Sequence, residues 1–268
     1  MSRFLVTGAT GFIGSAIIRH LATNGHEGIA LETDLLRDDH LDLSSIGASH
    51  CIHAAWYTNH TDYLVHAVNR DWVSASCRLA EAFDGRFVGL GTCLEYDVAD
   101  AAGSLPENTP LRPETLYAQS KVELFERLSA SAGNFAWARV FFVYGPGDRT
   151  GRLIPQMIGH FLQGKAAGPT SGGLRRDYCH VDDIAGQLVR IAMSDVRGAI
   201  NTGTGAAPTL SEIYAAGAHA FGQPRLALAN SRKGGQPALI QADLTHFRSA
   251  IGDPNARDIK AGLRDLVG

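Results

Sequence analysis

The chain has 268 residues, 45% hydrophobic and 19% charged, the balance of an ordinary globular protein with room for a large core. A formal net charge of −3 argues against nucleic acid or a membrane surface as partner, and no apolar run nears the roughly 20 residues that span a bilayer. Cys51, Cys77, Cys93 and Cys179 are scattered without a C-x-x-C pair, so no metal site or disulfide framework is expected and the cytoplasm is the expected compartment.

In chain order, residues 3–7 read as a buried strand that starts almost at once, leaving no signal peptide before it. Thr7-Gly8-Ala9-Thr10-Gly11-Phe12-Ile13-Gly14 follows, and residues 12–24 continue with helical periodicity. Strand, glycine turn and helix in that order form a dinucleotide cradle: phosphates rest on free amides and on the positive end of the helix. Contacts to the cofactor are therefore expected from Gly8, Thr10, Gly11, Phe12, Ile13 and Gly14. The G-x-x-G-x-x-G spacing is one residue longer in its first gap than the commonest fingerprint. Residues 28–32 read as the second strand, ending at Glu32, a carboxylate placed to bond the ribose hydroxyls of NAD. Arg37 keeps NADP open, and Asp34 is the alternative acid.

Residues 33–49 are too few for a full crossover, so a helix is reduced or missing there. Strands at 50–54, 86–91 and 136–143 alternate with helices at 63–83 and 116–132. The fold class is α/β, a Rossmann-like doubly wound parallel sheet. After Tyr144 the composition turns to Gly, Pro and Arg, as expected of a small interleaved C-terminal substrate lobe. Residues 1–145 form the dinucleotide-binding domain, with 181–202 returning to it; 146–180 and 203–268 form the lobe. Helices are expected at 181–193 and 211–221.

Tyr117 and Lys121 lie four apart on the predicted third helix and so share a face. A free phenol titrates near ~10, and a neighbouring ammonium favours the phenolate. The pair is thus a candidate acid/base.

The glycine turn and the tyrosine–lysine pair, with Asp42-Leu43, His53-Ala54-Ala55, Asn69, Gly91-Thr92 with Tyr96, Arg139, Tyr144-Gly145-Pro146-Gly147 and Arg176 through Asp183, resemble the extended short-chain dehydrogenase/reductases, the NAD-dependent epimerase/dehydratase family of nucleotide-sugar enzymes. The resemblance runs from Phe4 to about Phe221. It implies that Thr92 bonds the reacting sugar oxygen, Tyr117 exchanges its proton, and Lys121 supports the tyrosine and the nicotinamide ribose. It also implies that Asp42 and Leu43 meet the adenine and that Ala54 and Ala55 line the nucleotide. Asn69 would support the site, or be a plain core amide. Arg176 would grip the substrate diphosphate, with Arg175 and Arg152 as neighbours. His53 reads as a packed histidine rather than a base. A homodimer through the two helices at 63–83 and 116–132 is expected on the same ground.

Departures from the family pattern narrow the chemistry. The 4,6-dehydratases carry an Asp-Glu pair where this chain has Cys93 and Leu94, which disfavours dehydration. Phe142 stands where the family has a substrate-binding asparagine. What remains is hydride transfer at C4 of a nucleotide sugar, as 4-keto reduction or C4 epimerisation. The Gly-Thr-Cys-Leu-Glu-Tyr variant looks like a keto-sugar reductase branch, whereas Glu32 draws toward NAD and epimerisation. A reductase of a small non-nucleotide carbonyl compound and a non-catalytic NAD(P) sensor are the rival readings.

Overall fold

Strand β1 (Arg3–Thr7) lies inside a six-stranded parallel sheet of order β2-β1-β3-β4-β5-β9, with β2 (Glu27–Ala30), β3 (His50–His53), β4 (Arg86–Thr92), β5 (Phe135–Val140) and β9 (Gly198–Thr202). This is a computed structural model, and it describes residues 1–38, 40–99, 103–131, 133–148, 151–169, 171–228 and 238–267. Every residue of β4 and β5 is buried, as parallel strands covered on both faces require. Side-chain alternation sends Phe4 and Val6 to one face and Leu5 to the other. Helices α1 (Phe12–Thr23) and, late in the chain, α5 (Val181–Ala192) cover the first face; α2 (Val68–Ala82) and α3 (Leu116–Ala130) cover the second. The Rossmann-like doubly wound sheet is as the sequence implies.

Three boundaries differ from expectation. The second helix begins at Val68 rather than at residue 63, because the Asn69 amide donates to the carbonyls of Tyr63 and His66 and ties residues 63–67 into a separate turn. The expected strand at 136–143 is two strands. β5 stays in the main sheet, Phe141 N donates to Thr202 O, and β6 (Phe142–Tyr144) leaves to pair with β8 (Tyr178–His180). Third, β2 ends at Ala30 rather than at residue 32; as expected, no helix follows before β3 among the described residues, and β2 is the edge of the sheet.

A third apolar cluster joins Tyr144, Ile154, Met157 and Phe161 to Ile213, Tyr214 and Leu263. Its elements are α4 (Leu153–Leu162), α6 (Leu210–Ala220) and α8 (Ile259–Arg264); β7 (Arg175–Arg176), β10 (Leu239–Ile240) and α7 (Thr245–Ala250) complete this half. No helix among the described residues is long and apolar enough to cross a membrane.

Candidate active site

The glycine turn opens into a cleft of about 540 Å³ at the carboxyl ends of β1, β3, β4 and β5. Its first wall is backbone. Gly8 has φ +64, the left-handed region that glycine tolerates, and a Cβ on it would lie 2.8 Å from Ala55 Cα. A Cβ on Gly14 would meet Gly8 O at 2.0 Å. Gly11 N donates to Gly8 O at 2.8 Å, and Gly11 caps α1 without any side-chain hydrogen bond to the helix amides. This cradle suits a phosphate, and its residues fit the pyrophosphate of NAD. Gly8, Thr10, Gly11, Phe12, Ile13, Gly14, Ala54 and Ala55 all line the cleft.

Below the cradle His53 is fixed as a packed residue. Its Nδ1 is 2.7 Å from Thr7 Oγ1 and its Nε2 2.8 Å from Ser76 Oγ. Burial, reinforced by the charge on Lys121, pushes it down to about 3. It stays neutral at any working pH and is no base.

Thr92, Tyr117 and Lys121 line the same cleft. Thr92 ends β4; its hydroxyl accepts from Leu94 N at 3.3 Å while Glu95 Oε1 accepts from Thr92 N at 2.8 Å. Thr115 Oγ1 caps α3 by accepting from Ala118 N, which puts Tyr117 in the first turn, its own amide bonded to Leu64 O at 3.1 Å. Lys121, one turn later, is 3% exposed.

Burial dominates the electrostatics of the pair. The Lys121 ammonium lies 3.4 Å from the ring centroid of Trp56 and 5.8 Å from that of Tyr117. Burial drives the Tyr117 phenol well above its ordinary value, and the neighbouring Tyr63, Glu95 and Cys93 push the same way. Lys121 is pulled down to about 7 by burial, against the opposing charge of Glu95. Burial thus opposes the phenolate that the lysine's charge favours.

Glu95, which the sequence leaves open, is fully buried. It pairs with Arg139 at 2.7 Å and accepts from Trp137 Nε1. The spacing Thr92-x-x-Glu95 is that of a capping box, a signal present in the sequence. Trp56, directly after Ala55, and Tyr63, whose ring meets that of Tyr117 edge-on at 5.3 Å, are further cleft residues that the motifs miss.

Five expected contacts do not line the cleft. Asn69 is buried, accepts from Trp56 Nε1 at 2.8 Å and donates to two carbonyls, so it braces the wall from behind. Asp42 is exposed and spends its carboxylate on Ser44 N and Oγ, and Leu43 packs toward the core under α2. Both lie in the irregular stretch between β2 and β3, which holds neither helix nor strand among the described residues. Glu32 is exposed, two residues beyond β2. Arg37 is exposed and lies 3.4 Å from Asp34. Arg176 is 5% exposed, donates to Arg175 O, and holds its guanidinium 6.0 Å from the Phe142 ring. Phe142 itself lines the cleft, as does Arg152, paired with Asp148 at 3.6 Å.

Residues 4–203 match the sequence profile described as the NAD dependent epimerase/dehydratase family. The chain belongs to that family. Over 311 residues it is 24% identical to an ADP-L-glycero-D-manno-heptose-6-epimerase from Alkalilimnicola ehrlichii, covering 98% of this chain and 96% of the relative. Among solved structures, UDP-glucose 4-epimerase from Thermotoga maritima superposes with a TM-score of 0.84 at 19% identity, covering 99% and 97%. TunA, an NAD-dependent NDP-hexosamine 5,6-dehydratase of tunicamycin biosynthesis, gives 0.81 at 24% identity, covering 100% and 97%. Epimerases and dehydratases thus share the fold of this NAD-dependent epimerase/dehydratase family member.

Proposed function

We propose that the protein transfers hydride at C4 of a nucleotide sugar, as a 4-keto reductase or C4 epimerase, with Tyr117 as acid/base. The observation that carries this reading is the convergence of Thr92, Tyr117 and Lys121 on the cleft that the glycine turn opens. The glycine turn from Gly8 to Gly14 would hold NAD, which would supply the hydride chemistry at C4 and, when oxidised, a positive charge in the cleft. The chain supplies the rest. Thr92 Oγ1 orients the C4 oxygen, Tyr117 Oη carries its proton, and Lys121 contributes the ammonium that favours the phenolate. A phenol held protonated by burial is already the acid that 4-keto reduction needs; the oxidative direction waits for the cofactor's charge. Dehydration is disfavoured because Leu94 is apolar and the Cys93 thiol is pushed up to about 12 by burial and nearby carboxylates. Neither can act as its acid or base.

The turn phosphate contacts are as above. Among the described residues Arg152 is the arginine that lines the cleft, and it rather than the buried Arg176 is placed to take the substrate diphosphate. Two subunits joined through α2 and α3 complete the reading. Tyr117→Phe tests it: NAD binding by calorimetry stays normal while turnover of the nucleotide sugar drops by orders of magnitude. Turnover that survives sinks the proposal.

One observation favours the small-carbonyl reading, namely that Phe142 rather than Arg176 faces the cleft. Arg152→Ala separates the two. It raises KM for a nucleotide sugar roughly tenfold or more if the arginine grips a diphosphate. An unchanged KM supports the smaller substrate.

A further inference from the structure

The three tryptophans of the chain gather around one lysine. Trp56 presents its face to the Lys121 ammonium at 3.4 Å and Trp137 lies at 5.9 Å. Trp72 stacks on Trp56 with centroids 5.8 Å apart. Trp56 cannot turn freely: its Nε1 is bonded to Asn69 Oδ1, Asn69 is anchored to the Tyr63 and His66 carbonyls, and the Tyr117 ring meets the indole edge-on at 6.3 Å.

We propose that Trp56 is a positioning residue, whose fixed indole face seats the Lys121 ammonium and keeps it charged beside Tyr117. The inference rests on Lys121 being the lysine of the catalytic pair. An ammonium taken out of water loses hydration, and the face of an indole is the best aromatic substitute for it. Among the titratable groups facing Lys121, Glu95 favours the charged form, and its carboxylate is shared with Arg139 at 2.7 Å. His53 is neutral, and burial keeps the phenols of Tyr117 and Tyr63 protonated. Asn69 then gains a role too, as the clamp on the seat.

The test uses the whole, cofactor-free protein with lysines labelled at 13Cε. Four lysines are present, and Lys121→Met assigns its signal. In Trp56→Leu the Lys121 titration midpoint is expected to fall by about one pH unit, and in Trp56→Phe, which keeps a weaker ring, by about half that. The alkaline limb of the turnover profile moves to lower pH in the same order, with kcat falling more than KM rises. A Lys121 midpoint within a few tenths of wild type in Trp56→Leu overturns the proposal. Should that variant not fold, an unmoved midpoint in Trp56→Phe does the same. The titration needs no turnover, so it decides the seat even if Tyr117→Phe proves active, and its own failure leaves the tyrosine test standing.

Discussion

The two walls of the cleft are built from different material. The cofactor wall is backbone: Gly8 in the left-handed region, Gly14 pressed on Gly8 O, and α1 amides without a side-chain cap. The opposite wall is side chain: Trp56, Tyr63, Phe142, Tyr178 and Arg152. Backbone walls are conserved in shape by geometry that only glycine satisfies, whereas side-chain walls can be rebuilt one residue at a time. Such a chain can keep its cofactor chemistry while its substrate half is rebuilt.

The contrast can be broken first at the glycine wall. Gly14→Val puts branched carbon into a carbonyl that the turn cannot move, so NAD binding by calorimetry should vanish, with a stability loss of roughly 3 kcal/mol or more in urea denaturation. An intact NAD affinity would mean the cradle tolerates what its geometry forbids. Behind the side-chain wall, Glu95→Leu strands the buried Arg139 and should cost about 3–5 kcal/mol by the same measurement. Next comes acid sensitivity. His53 takes a proton near 6.5 when unfolded but only near about 3 when folded, so the unfolded state binds more protons between those values and stability falls with falling pH. From pH 7 to pH 5 this one group contributes a loss of about 2 kcal/mol, and His53→Asn should flatten the slope by that amount. The smallest effect belongs to Asp42. Asp42→Ala should leave the NAD dissociation constant unchanged, and a weakened constant would restore the adenine contact that the resemblance implies.

What was readable in the sequence follows the same division. The glycine turn, the alternating strands and the tyrosine–lysine pair are local patterns, because spacing along a strand or helix sets direction directly. The short stretch at 33–49 was readable by length alone, yet where its irregular chain leaves Asp42 and Leu43 was not, since a motif match carries no direction outside a strand or helix. Arg176 is a different case. Its place in the lobe beside Arg175 was legible, but only the departure of β6 from the main sheet brings Phe142 across its guanidinium. Likewise, nothing local to His53-Ala54-Ala55 says that the next indole turns onto a lysine far along the chain.

The loss of a crossover after β2 has a cost at the rim of the sheet. An outermost strand offers unpaired amides and carbonyls, a template on which a foreign strand can add itself. Here that rim is four residues long, and Arg3 locks onto Glu27 at 2.8 Å at its start. So short a border, opened by a paired glutamate, gives an invading strand too little to hold.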